Sequence, residues 1–524
     1  MTILPDPLAR HSALWGDQYA LTMAQAFFTH GRHNINTTFH AFIRTNPFKG
    51  GYLVTAGQNI IYEWLARHWR FDTDDIALLK RKTVQDPVSG EMKPLFTPEF
   101  IDMVAAAKME LTIHAMPEGE LAFPDQPIMR VHGPLWQCLM VEGAVLNTIN
   151  SQSLFATLAS RLVEVAEGKP VLEFGLRRAQ AIGGLEPTRG AWVGGVHGTS
   201  NMLAEKYYGI PSTGTFAHAF VMVYEDELEA FRAYAEAMPY NGIFLVDTYD
   251  SLEGVRRAVT ACRGAGIKMK GIRLDSGDLT YLSRQARVIL DEAGFGDTQI
   301  VASNDLDEET MAAIRMEGGA MDIWAVGTNL VTAKSQPALG GVYKLGAVYG
   351  DGLTQNEIDA TRQAVAAGKQ PHLDKNFMRD VIKISEQTAK VTIPGELDVL
   401  RFLHQNHVER YDGDVIISTY LADPVKDGVL VQDVRSLRKD DDTQKKTFSR
   451  GTKVYRPLQK IFDAGRMIAA MENVDQARQR AAQSLAMLDP THRRLKNPHW
   501  YGVGLEESLY QTRKDMIESL RRKR

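Results

Sequence analysis

The chain has 524 residues, 44% of them hydrophobic and 24% charged, with a formal net charge of -4, the make-up of a globular protein with room for several domains. That balance provides no global attraction for nucleic acid, so an anionic ligand has to be held by local positive charge. There are 2 cysteines, Cys138 and Cys262, and no apolar run as long as a membrane span, so neither a disulfide framework nor membrane insertion is expected. The opening MTILPDPLARHSALWGDQYA lacks the basic-then-apolar pattern of a secretory signal, and a cytoplasmic location is expected.

Residues 1–145 read as an N-terminal α+β region. A helix is predicted around YALTMAQAFFTHG, then a strand TTFHAFIR, a Gly-rich turn NPFKGGY, helices near 57–69 and 97–108, and short strands over 111–135. Over 146–350 the pattern changes: short apolar runs recur roughly every 20 to 30 residues and stop abruptly in polar or glycine residues. VLEFG precedes Leu176 and Arg177, AWVGGV precedes His197-Gly198-Thr199-Ser200, and STGTFA precedes His218. IFLV runs into Asp247-Thr248-Tyr249-Asp250, MKGIRL into Asp275-Ser276-Gly277-Asp278, IVAS into Asn304-Asp305, and IWAV into Gly327-Thr328. Between them, SLEGVRRAVTACRGAG and LTYLSRQARVILDEAG carry apolar residues at helical spacing and finish in glycine. Alternating strand and helix predicts parallel pairing, here an irregular, TIM-like α/β barrel whose polar strand ends gather the chemistry at one rim. Residues 351–524 read as a C-terminal region with β segments in KQPHLDKNFMRDVIKISEQTAKVTIPG and DGDVIISTYLADPV and a closing charged helix ending LRRKR. It is expected to pack with the N-terminal region as a second α+β domain, with SLRKDDDTQKKTFSRGTK as a solvated loop.

The segments WGDQYALTMAQAFF, NPFKGGYLVTAG, EFGLRRAQ, GTSNMLA, GTFAHAFV, LVDTYD, GIRLDSGD and AVGTNLVTAKSQPALGGVYKL, in this order, resemble the nicotinate phosphoribosyltransferase family. The resemblance runs from about residue 14 to 345, with weaker echoes in KISEQTAKVTIPG. It implies transfer of a phosphoribosyl group from phosphoribosyl pyrophosphate to nicotinate, giving nicotinate mononucleotide and pyrophosphate for NAD synthesis. It also implies coupling to ATP hydrolysis, a requirement for Mg2+, and a homodimer with active sites at the subunit interface.

That chemistry passes through an oxocarbenium-like state, so it needs negative charge near the ribose and positive charge on the leaving pyrophosphate. Arg273 and Asp275 supply both signs two positions apart, on the same side of an extended strand end. Asp275 is assigned to the ribose hydroxyls or to Mg2+ on the pyrophosphate, and Arg273 to phosphate oxygens. Gly327 and Thr328, at a strand-to-helix turn, suit phosphate capture, with Asn304 donating beside them. Asp305 departs from the family's small residues at that point, and is expected to cap the next helix rather than face Mg2+. The resemblance makes His218 the acceptor of the ATP phosphoryl group, a role that suits a neutral imidazole, with Asp247 the candidate for holding its tautomer and His197 a weaker competitor. Phe174 and Tyr19, by resemblance, sandwich the pyridine ring, Tyr19 coming from the neighbouring subunit. Arg177 reaches the nicotinate carboxylate or the reacting phosphates, and Thr199 and Ser200 join the substrate site.

Nicotinamide phosphoribosyltransferase is the near alternative: there an aspartate stands where Ser200 does and accepts hydrogen bonds from the amide, whereas a serine hydroxyl donates to a carboxylate. A non-catalytic NAD-precursor sensor would have little use for His218. A sugar-phosphate aldolase or isomerase on the same barrel would want a Schiff-base lysine or a carboxylate base, and the obvious barrel lysines, Lys270 and Lys344, stand at no clear strand end. Zinc would need a third ligand beside His30 and His33, or beside His404 and His407.

Overall fold

The computed structural model describes residues 12–180, 184–350, 378–387, 390–404, 410–420 and 423–522. Outside them lie His407, the expected β segment as far as residue 377, and the last two residues of LRRKR. The chain forms two compact units, Ser151–Ala338 and a second that joins Met1–Asn150 to Leu339–Arg524.

The 151–338 unit is built on a six-stranded sheet in the order Ile243–Leu245, Gly271–Leu274, Gln299–Ala302, Ile323–Val326, Val171–Glu173, Gly198–Thr199. Every pairing is parallel. Ile272, Leu274, Ile300, Trp324 and Val326 are buried, so these strands read as unbroken apolar runs, as strands covered on both faces do. The sheet is curled into a half-barrel, the irregular α/β barrel expected from the sequence. Register pairs Leu245 with Arg273, Leu274 with Ala302 and Val326 with Glu173, which brings the carboxyl ends of the strands to one edge. Helices Ser251–Ala265, Leu279–Glu292 and Glu308–Met316 make the crossovers. Each is started by an aspartate that accepts a backbone N–H in its first turn: Asp250 from Glu253, Asp278 from Tyr281 and Asp307 from Thr310.

Two of the expected strands are not strands. AWVGGV belongs to the end of a helix, Leu185–Val193, and the strand comes later, at Gly198–Thr199. Nearly every residue of that helix is buried, Leu185, Pro187, Thr188 and Arg189 included, and an element covered all round loses its helical periodicity and reads as an apolar run. STGTFA is extended but joins the sheet edge only through an isolated bridge between Thr199 and Ser212.

In the other unit the two halves of the sequence share sheets. Asn36–Ile43 pairs with both Gly341–Tyr349 and Met129–Pro134, and Thr112–Ala115 pairs with Gln459–Asp463, in one seven-stranded sheet. The charge run expected as a loop is instead a hairpin, Val434–Arg438 with Asp441–Phe448, and Asp442 to Thr447 are exposed. Asp441–Phe448 is the edge strand of its six-stranded sheet, where charged side chains discourage pairing with other chains. Among the described residues no helix is long and apolar enough to cross a membrane.

Candidate active site

At the carboxyl edge of the parallel sheet lies one cleft of about 500 Å3. Phe174, Arg177, Ser200, His218, Arg273, Asp275, Asn304, Gly327 and Thr328, nine residues singled out in the sequence, all line it. All but His218 follow or end a strand, and the register aligns those ends, while His218 opens a helix after the extended segment beyond the Ser212 bridge.

Arg273 and Asp275 form the charged centre. Arg273 Nη2 donates to Asp275 Oδ1 at 2.8 Å, Nε donates to Ser303 Oγ at 2.7 Å, and Nη1 donates to Thr215 Oγ1 at 3.3 Å. The Ser303 hydroxyl passes its own proton on to Asp275 Oδ1, at 2.6 Å. A guanidinium has five N–H donors, so the three engaged here leave two for a ligand's phosphate oxygens. Asp275 Oδ2 takes no hydrogen bond among the described residues and remains available to a hydroxyl or a cation. The guanidinium carbon also lies 5.9 Å from the centroid of the Phe174 ring, which lines up the charge beside a flat apolar face.

His218 opens the short helix His218–Met222 with its side chain 39% exposed. Its Nδ1 is 3.1 Å from Thr248 Oγ1, and its Nε2 is 4.0 Å from Asp247 Oδ1. The Asp247 side chain is fully buried behind the cleft wall. Its Oδ2 accepts the backbone N–H of Asp275 at 2.9 Å and the hydroxyl of Ser276 at 2.6 Å. Its Oδ1 has no hydrogen-bond partner among the described residues. His197, by contrast, turns Nδ1 to the backbone N–H of Val171, at 3.2 Å, and is not in the cleft wall.

Thr199 is also outside the wall. It is fully buried, and its hydroxyl donates to Glu173 Oε2 at 2.6 Å, as does that of Thr188 at 2.8 Å. The buried Glu173 carboxylate also accepts the Gly175 N–H, so Thr199 fixes the strand edge from which Phe174 and Ser200 project. Asp305 is not the helix cap: Asp307 is, two residues on. Asp305 lines the cleft with a left-handed φ of 34°, and Asn329 Nδ2 donates to its carbonyl at 3.0 Å. Sequence reasoning also passed over Arg178, Thr213, Thr215 and Ser303 in the wall. The Arg177-Arg178 doublet and the serine closing IVAS were the signals available for two of them.

Tyr19 belongs to the other unit, on the helix Gln18–Thr29. It is 47% exposed, and its hydroxyl donates to Glu142 Oε2 at 2.9 Å. Partial burial, and then this bond to a carboxylate, push the phenol up to about 12, so it stays a neutral donor. No group of three or more His, Cys, Asp or Glu side chains is placed to hold a metal ion among the described residues.

The curled parallel sheet and the polar rim it carries define an α/β-barrel protein with an enzyme-like cleft at the carboxyl ends of its strands. Residues 14–150 match the nicotinate phosphoribosyltransferase N-terminal domain, and residues 398–513 match the nicotinate phosphoribosyltransferase C-terminal domain. A nicotinate phosphoribosyltransferase of Bacillus subtilis is 35% identical over 522 residues, covering 98% of this chain and 96% of that protein. The Dictyostelium discoideum nicotinate phosphoribosyltransferase is 30% identical, covering 95% and 86%. The crystal structure of human nicotinic acid phosphoribosyltransferase superposes with a TM-score of 0.75 at 27% identity, covering 95% of this chain and 99% of that one. The chain belongs to the nicotinate phosphoribosyltransferase family.

Proposed function

We propose that the protein transfers the phosphoribosyl group of phosphoribosyl pyrophosphate to nicotinate, releasing pyrophosphate and supplying nicotinate mononucleotide for NAD synthesis in the cytoplasm, with ATP hydrolysis coupled through His218. The observation that carries this reading is the convergence of the Arg273–Asp275 couple, His218 backed by Asp247, and Phe174 with Arg177 on one cleft. The pyridine nitrogen attacks the anomeric carbon as its bond to the pyrophosphate oxygen breaks. Asp275 Oδ2 faces the ribose, where positive charge develops, and the two free N–H groups of Arg273 meet the departing phosphates. Gly327, Thr328 and Asn304 hold the other phosphate, and Phe174 supplies a face for the ring while Arg177 takes its carboxylate.

In the coupled step an imidazole nitrogen of His218 forms a bond to the γ-phosphorus of ATP, the bond to the bridging oxygen breaks and ADP leaves. Water later removes the phosphoryl group as inorganic phosphate. The proton and charge changes at the ring fall to Asp247 Oδ1, the bare buried oxygen 4.0 Å away. Mg2+ typically binds through one or two carboxylates plus substrate phosphates rather than a full protein cage. The cleft fits that mode: Asp275 and Asp305 are its two carboxylates, and the metal would neutralise charge on the pyrophosphate. Tyr19 would reach the ring of a partner subunit's site in a homodimer; its exposure and its place on the other unit support that role.

Ser200, half-buried in the wall, favours the acid over the amide, since it offers a hydroxyl donor and no second carboxylate. The deciding experiment incubates the protein with phosphoribosyl pyrophosphate, Mg2+ and either nicotinate or nicotinamide, with and without ATP, and follows the mononucleotide. Turnover of nicotinamide with none of nicotinate reverses the substrate, and turnover of neither removes the activity.

A further inference from the structure

We propose that Ser276 is a positioning residue that aims Asp247 at His218 and so ties the sugar-binding loop to the phosphoryl-carrying imidazole. The inference rests on the reading of His218 given above. Its starting point is the asymmetry of one carboxylate. The Asp247 side chain has no exposed surface, yet its two oxygens are treated differently. Oδ2 receives two donors, the Asp275 N–H at 2.9 Å and the Ser276 hydroxyl at 2.6 Å. Oδ1 receives none among the described residues, and Nε2 of His218 stands 4.0 Å from it.

Leaving a buried carboxylate oxygen bare is costly, so such an arrangement persists only where the surroundings fix it. A single backbone N–H would act as a hinge about which the carboxylate tilts, and a partial turn about Cβ–Cγ would swing the bare oxygen away from the ring. The second donor turns the hinge into a clasp. Ser276 is able to supply it because the next residue, Gly277, takes a φ of +80°, which an L side chain rarely adopts, and a Cβ there would come within 2.8 Å of Leu282 Cδ1. Ser276 is not in the cleft wall, and its link to the site runs through Asp247. Contacts of this length commonly tighten when substrate binds, and a carboxylate held in this direction favours the imidazole tautomer with its proton on Nε2. The donors on Oδ2 both come from the segment that carries Asp275, so whatever moves that segment also moves the oxygen facing His218.

The test compares Ser276→Ala with Ser276→Thr, which keeps the hydroxyl, in the full-length protein. Imidazole 15N spectra, with His218→Ala used to assign the signal, report the tautomer without any need for ATP. Labelling from γ-32P ATP reports the coupled step. The alanine variant is expected to lose the Nε2–H bias and to label at least fivefold more slowly, and the threonine variant to recover both. An unchanged imidazole spectrum in Ser276→Ala overturns the proposal, and so does unchanged labelling where the wild type labels. If the wild type takes no label, the phosphohistidine reading fails by itself, while the spectra still decide whether Ser276 positions Asp247.

Discussion

Asp380 makes the stability of the fold depend on pH. It ends the strand Met378–Asp380, its Oδ1 is buried without a hydrogen-bond partner among the described residues, and burial pushes its carboxyl up to about 6 from 3.8. The neutral acid is therefore the form the fold accepts. Below the unfolded value of 3.8 the group costs nothing; between 3.8 and about 6 the unfolded chain ionises while the folded chain stays protonated, so stability falls, and above about 6 the folded chain holds an unsolvated charge and the penalty is full. The difference of about 2.2 units corresponds to a penalty of at most about 3 kcal/mol above pH 7. Asp380→Asn is neutral at every pH and nearly the same shape, so it should be more stable than the wild type at pH 8 and indistinguishable near pH 4. Thermal or urea midpoints of the two proteins at pH 4.5, 6 and 8 provide the assay. A constant difference across that range, or a variant less stable at pH 8, would refute the assignment of the penalty to an unpaired carboxylate.

Three further outcomes are expected at the site. Ser200→Asp places a third carboxylate in the cleft, beside the nicotinate carboxylate; at about 5 Å and an effective dielectric of about 20 the repulsion is about 3 kcal/mol, so kcat/KM for nicotinate relative to nicotinamide should fall roughly 200-fold. An unchanged ratio would move the carboxylate site away from Ser200. Asp305→Asn and Asp305→Gly both tolerate the left-handed backbone, so a purely conformational role survives them, whereas a metal-facing role does not. Mn2+ binding in the presence of pyrophosphate, followed by electron paramagnetic resonance, should weaken on the order of tenfold in both variants. If Tyr19 completes a partner's site, inactive Tyr19→Ala and Arg177→Ala chains allowed to exchange should regain activity up to about a quarter of the wild-type level, the share of sites free of both changes; no recovery in verified hybrids would place Tyr19 in its own subunit's chemistry or in none.

The parts of the structure that were legible in the sequence are those whose signal is local. Strands such as Gly271–Leu274 and Ile323–Val326 are buried on both faces, so an apolar run cut off by Asp275 or Gly327 announces both the strand and the end that lines the cleft. The same signal misled at AWVGGV, because a helix enclosed on all sides also reads as a run. Asp305 and Asp307 are equally plausible caps by type, and only the backbone decides: Asp307 is extended while Asp305 is left-handed. Least visible were the hydroxyls. Ser303 bridges Arg273 to Asp275 from the neighbouring strand, Thr199 answers to Glu173, and Thr248 meets His218 thirty residues away. A serine or threonine has no sequence signature for such roles, because its partner is fixed by strand register and not by spacing along the chain.

Register also gives two aspartates on adjacent strand ends different surroundings, on which the proposed division of roles rests. Asp275 is 32% exposed and shares one oxygen with Arg273 and Ser303, leaving the other without a hydrogen bond among the described residues and, in the proposed reading, for the sugar. Asp247 has no exposed side-chain surface and lends one oxygen to the Asp275 segment, leaving the other for the imidazole. The backbone N–H of Asp275 joins the two carboxylates through a single peptide unit. If the division holds, neutralising each acid should give different kinetics. Asp275→Asn removes the charge that stabilises the ribose in the transition state, and kcat/KM for phosphoribosyl pyrophosphate should fall by the same factor with and without ATP. Asp247→Asn keeps the shape and can still accept from the Asp275 N–H, but removes the charge facing His218, so ATP-stimulated transfer should fall more than ATP-independent transfer and the ratio of the two should drop, where Asp275→Asn leaves it unchanged. Equal losses in that ratio for both variants would mean that the carboxylates act as one unit, and the separation of roles drawn from their hydrogen bonds would be wrong.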